Sequence, residues 1–174
     1  MIKRFSPFVI LFLFVGNGLA QNTVSLVNGR LSFEVPRGFR AMTGEEIALK
    51  FPKSSPPQHV YANERGGVSI AVTFSQAEVP LEQLPALKSA MEQMLPRMTP
   101  GLQWISRETV EINGQPWIHL EMTSSAVDTD IHNHMYLTAF DGRMLGINMN
   151  STVIEYKAVA NALDRSRNSI RVVQ

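Results

Sequence analysis

Three of the four histidines, His119, His132 and His134, stand close together in the chain, with two acids, Glu108 and Glu121, near them. In His132-Asn133-His134 the imidazoles are two residues apart, so on an extended strand both point to the same side. Imidazole nitrogens and carboxylate oxygens form a donor set suited to zinc or a similar divalent ion, with His119, His132, His134 and Glu121 as the ligands. The same residues also make ordinary cross-strand pairs, Glu108 with His119 and Glu121 with His134, each worth roughly 0.2–1 kcal/mol. This plainer reading is the expected one, and it makes no cofactor necessary. On it, replacing His134 by Ala costs on the order of 1 kcal/mol or less. A third use is proton sensing, since imidazole changes charge near neutral pH and could make partner binding pH-dependent.

Other chemistry is thinly represented. The chain has no cysteine, which removes disulfides, thiolate metal ligands and a thiol nucleophile. Ser124-Ser125 precede Asp128 and Asp130, but no nucleophile-elbow pattern surrounds them. Gly66-Gly67 lacks the lysine and the following helix of a phosphate loop and reads as a turn. No catalytic residue is assigned, and an enzyme of unrecognised type is the least favoured class.

The chain has 174 residues, 44% apolar and 18% charged, with a formal charge of +1. That length suits one domain, and the composition excludes wholesale disorder. Without a basic run, nucleic acid is not an expected partner. Residues 1–20 read as an export signal: Lys3 and Arg4, an apolar run from Phe8 to Val15, then Gly18-Leu19-Ala20 before the cut. The apolar run is short of the ~20 residues that span a bilayer, so cleavage rather than anchoring is expected. Gln21 stands where a lipoprotein needs cysteine. The mature chain, 21–174, is then a single domain with 14 basic and 15 acidic residues, located in the periplasm or secreted, without stable membrane insertion.

The elements that must position the histidines follow from turns and periodicity. Thr23 to Val27 and Leu31 to Val35 flank Asn28-Gly29, a hairpin signal. Thr43 and Glu46 have the spacing of a capping box for a short helix through Lys50. His59 to Glu64 and Val68 to Phe74 read as strands around Arg65-Gly66-Gly67. A helix from about Leu81 to Met98 carries a Leu and Met stripe, read as a core face, with Pro85 in its first turn. Four strands follow, 102–112, 115–124, 132–140 and 143–150, joined by Asn113-Gly114, the longer loop 125–131, and Asp141-Gly142. Thr152 and Glu155 cap a last helix to about Asn168.

Two-residue turns fix register, so Val110 should face Trp117, Glu108 face His119 and Ser106 face Glu121. Pairing about the middle of the longer loop sets His119 opposite Tyr136 and Glu121 opposite His134. One sheet face then collects Trp104, Val110, Trp117, Tyr136, Phe140, Leu145, Ile147 and Met149. The other collects Ile105, Ile118, Leu120, Met122, Met135, Leu137 and Ala139. Both faces are too apolar for water, which calls for helices on both sides: an α/β (α+β) fold with a central antiparallel sheet, an α/β/α sandwich.

The order of these elements, with Phe33-Glu34-Val35-Pro36-Arg37-Gly38-Phe39 ending a strand in proline, a polar residue, glycine and an aromatic, resembles the PsbP/DcrB-like superfamily. The resemblance implies an antiparallel sheet between helices, and a non-enzymatic binding role, as in secreted bacterial members, photosystem accessory subunits and chaperones of secreted effectors. It implies another protein as partner, with a link to a secretion system or to toxin antagonism as its finest form. No site residue carries over by position.

Overall fold

A computed structural model describes residues 22–52 and 55–174. The expected export signal lies outside them. β1 (Asn22–Leu26) and β2 (Leu31–Val35) form the opening hairpin. Its turn is longer than Asn28-Gly29 alone, because Leu26 pairs with Leu31 and Val27, Asn28 and Gly29 all take positive φ. β3 (Arg40–Ala41) leads to α1 (Gly44–Lys50), where Thr43 and Glu46 close the expected reciprocal cap. β4 (His59–Ala62) is shorter than expected, and β5 (Val68–Glu78) is longer, with a register irregularity between Phe74 and Glu78. A 3-10 turn, Leu81–Gln83, enters α2 (Leu84–Met98) with Pro85 in its first turn. Then come β6 (Gln103–Ile112), β7 (Gln115–Ser125), β8 (Asp130–Phe140) and β9 (Arg143–Thr152). α3 (Val153–Asn168) and β10 (Arg171–Val172) end the chain.

Seven strands form the main antiparallel sheet in the order β3-β4-β5-β9-β8-β7-β6, and β1-β2-β10 form a second, small one. Asn113-Gly114 and Asp141-Gly142 have positive φ at both residues, the backbone of a two-residue hairpin whose twist matches its strands. The register expected from those turns is the one observed. The less local pairing holds too: His119 faces Tyr136, and Glu121 faces His134.

Helices cover both faces, as an α+β fold of this kind requires, but one cover is mixed. On the first face Ile70, Val72, Trp117, Tyr136, Leu145, Ile147 and Met149 meet Leu31, Phe33 and Val35 of the small sheet and Leu163 of α3. On the second, α2 packs Leu84, Leu87, Met91 and Leu95 over Ile118, Leu120, Met122 and Leu137, and α1 sets Ile47 on Val60 and Ala71. The α2 stripe is a core face only in part, since Met94 and Met98 are exposed.

Trp104 and Ile105 correct the face assignment. A bulge lets Trp104 pair with Met122 while Ser106 pairs with Glu121, so one residue of β6 is left over between them. Alternation shifts by one there, as a bulge demands. Trp104 joins the α2 cluster on the second face, and Ile105, expected inside, is 53% exposed.

Candidate functional site

The histidines lie on the first face, where rows of side chains run across the strands. One row reads Ile70, Met149, His134, Glu121, Ser106, and its neighbour reads Val72, Ile147, Tyr136, His119, Glu108. The third is Val68, Ser151, His132, Thr123, Gln103. Each row is apolar at β5, carries a ring on β8 or β7, and ends in acids, hydroxyls or an amide at the β6 edge. The imidazoles therefore stand at the border between core and solvent, and His119, His132 and His134 are 7–9% exposed.

Over this border lies Tyr156, from the first turn of α3. Its ring stacks on His132 at 3.5 Å between centroids, and its hydroxyl is 3.1 Å from His134 Nε2. On the other side of His134, Nδ1 is 3.1 Å from His119 Nε2. The His119 and His134 rings are parallel to within 3° with centroids 5.4 Å apart, and His119 stacks on Tyr136 at 4.6 Å. A continuous hydrogen-bonded chain thus runs from Tyr156 through His134 to His119, flanked by tyrosine rings. Glu121 Oε1 meets His132 Nε2 at 2.8 Å but stands 3.8 Å from His134 Nε2.

All four expected site residues, His119, His132, His134 and Glu121, are brought together on one face, with bonds that differ from the expected ones. Glu121 is opposite His134 in register yet bonds diagonally to His132. Glu108 is opposite His119, but its carboxylate accepts from Ser106 Oγ, and His119 turns instead to His134. Burial also raises the expected cost of His134→Ala: the ring has two partners and little solvent to replace them. His59 stands apart on β4, edge-on to Phe74. Asp130 serves the β7–β8 hairpin, where Ser125 Oγ donates to it at 2.9 Å and Asn133 donates to Ser124 Oγ.

Burial is the main electrostatic influence here. It pushes His119 below the ordinary imidazole range, and His134 down to about 4, against the opposing pull of Glu121. Both rings are neutral at pH 7, the form in which imidazole binds a metal. Burial also raises the Tyr136 and Tyr156 phenols, so both keep their protons. His119, Glu121 and His134 offer a nitrogen, an oxygen and a nitrogen all within 4.8 Å of one another.

Sequence reasoning missed the two tyrosines as members of the cluster. Tyr136 could have been found, because the register that pairs it with His119 places two flat rings side by side. Tyr156 carries no signal in the strand pattern, since its place is set by where α3 starts.

No protein-family model matches the chain, and no curated protein matches it. Solved structures do. A cyanobacterial PsbP (CyanoP) from Synechocystis sp. PCC 6803 is 16% identical with a TM-score of 0.63, over 91% of this chain and 96% of that one. LpqN, involved in cell envelope biogenesis of Mycobacterium tuberculosis, is 11% identical with a TM-score of 0.56, over 89% and 91%. PA94 from Pseudomonas aeruginosa is 14% identical with a TM-score of 0.50, over 88% and 96%. At such identities the likeness is one of fold, and it agrees with the element order read from the sequence: the chain has a PsbP/DcrB-like fold.

Proposed function

We propose that this chain is an exported, non-enzymatic accessory protein that acts by binding another protein. The observation that carries the reading is the end-to-end match of fold to PsbP, nearly all of both chains being covered. The PsbP/DcrB-like resemblance implies binding proteins rather than enzymes, and LpqN, of the same fold, belongs to cell-envelope biogenesis. Export rests on the signal read in residues 1–20. Among the described residues no helix is long and apolar enough to cross a membrane. In its finest form the reading is an accessory factor of a secretion system or an antagonist of an exported toxin, and finding a toxin gene beside this one would favour the latter.

The test is cross-linking and capture of the mature chain in the envelope fraction of its own cells. The expected result is one reproducible partner, released by substitutions on this protein's surface. Turnover of a small molecule, with no partner recovered, overturns the reading.

A further inference from the structure

We propose that His119, His134 and Glu121 form a binding site for one divalent ion of the zinc class, on the sheet face beneath α3. Around a tetrahedral zinc ion, bonds of about 2.0–2.2 Å place neighbouring ligand atoms roughly 3.3 Å apart. His119 Nε2 and His134 Nδ1 are already 3.1 Å apart, and one donor atom from each of His119, His134 and Glu121 lies within 4.8 Å of the other two. Two strands hold these donors at fixed register, so the site is assembled by the fold rather than by a loop.

The chemistry of the donors selects the ion. Two imidazoles and a carboxylate suit zinc and its first-row neighbours, whereas magnesium and calcium prefer oxygen alone. The chain has no thiolate to draw softer ions elsewhere. Three protein donors leave a fourth position for water, and the partial exposure of Glu121 opens an entry path from the β6 edge. Loading changes the hydrogen bonds in a defined way. His119 and His134 exchange their mutual bond for the ion, and Glu121 turns from His132, which keeps its stack on Tyr156. Tyr156, bonded to the other nitrogen of His134, is the outer partner that orients the ligand ring.

The test is calorimetric titration of zinc sulfate into protein prepared without a histidine tag and stripped with EDTA. Cobalt(II) absorption serves as a second probe, its intensity reporting tetrahedral nitrogen and oxygen ligation. The expected result is saturable one-to-one binding at low micromolar zinc. Free zinc about 100-fold above the dissociation constant should then raise the melting temperature by roughly 5–10 °C. Glu121→Gln, which keeps the shape of the side chain, should weaken binding about 10-fold or more with an unchanged circular dichroism spectrum. The double variant His119→Gln, His134→Gln should abolish it, while His59→Ala leaves it intact. Absence of saturable zinc binding by the unaltered protein overturns the proposal. So does binding that survives both Glu121→Gln and the double variant, because the ion then sits elsewhere.

Discussion

Replacement of His134 by alanine separates a buried hydrogen-bonded ring from a surface pair. The imidazole is 9% exposed and bonds at both nitrogens, to His119 and to Tyr156. In the variant Tyr156 can turn its hydroxyl to water, because the residue is half-buried. His119 Nε2 cannot do so as readily, and an unpaired buried polar group costs about 1–3 kcal/mol. Loss of the ring's stacking contacts with His132 and neighbouring side chains adds roughly 1–2 kcal/mol, the lower end of a large-to-small change. The expected destabilisation is therefore about 3 kcal/mol, a melting temperature lower by roughly 6–12 °C for a domain of this size. Urea unfolding followed by tryptophan fluorescence at pH 7.5, with EDTA present to exclude any metal contribution, measures it. A change under about 1 kcal/mol refutes the argument, because it means that water replaces both bonds and the site is an ordinary surface pair.

Burial depresses His119 and His134, the latter to about 4, with Glu121, Glu108 and Asp164 opposing the shift. Between the unfolded value of about 6.5 and the folded values, the unfolded chain binds more protons, so stability is flat above neutrality and falls as pH drops through that window. Urea midpoints from pH 7.5 to 4 should show the fall, and His119→Gln with His134→Gln should flatten it; a midpoint that rises on acidification contradicts the sign. Trp104→Ala should cost roughly 2–3 kcal/mol and Ile105→Ala under about 1 kcal/mol, by the bulge that turns the first inward and the second outward. Equal costs in chemical denaturation refute that placement. Asn113 sits at φ 49° and its amide donates to the carbonyls of Asn168, the last residue of α3, and of Ile170 just beyond it. Asn113→Ala should cost about 2–3 kcal/mol and Asn113→Gly less, since glycine relieves the strain but not the lost bonds; a costlier glycine would reverse that account.

The legible parts of this fold are those with one physical solution. Asn113-Gly114 and Asp141-Gly142 admit a single tight hairpin each, and once β6 to β9 are paired, which residues share a face follows from parity alone. Between β7 and β8 no tight turn fixes the register, and it is pairing about the middle of the 125–131 loop that sets Glu121 opposite His134. Parity failed at Trp104 and Ile105 because both are large and apolar, so alternation reads equally well in either phase. The choice belongs to the apolar cluster under α2, which Trp104 joins, and helix docking leaves no mark in strand periodicity. The small sheet was hidden for a related reason. Its third strand, β10, is two residues long, Arg171–Val172, and pairs with β2 from the far end of the chain.

The candidate site divides along the same line. Register fixes which residues are neighbours, but rotamers and the covering helix decide which of them bond, hence the diagonal contacts of Glu121 and His119. The helix is nevertheless less free than it looks. Thr152 is both the last residue of β9, paired with Ile131, and the N-cap of α3, accepting from the Glu155 amide. No loop intervenes, and Thr152 also donates its backbone N–H to Gly67, across the sheet. The first turn of α3 is thereby locked to the register of β9, one residue beyond the Ser151 that faces His132. Four residues after that cap, Tyr156 has little choice but to lie over His132 and His134. The same threonine that ends the strand thus sets the roof of the histidine cluster, so the site depends on two kinds of local sequence signal, tight turns and a helix cap.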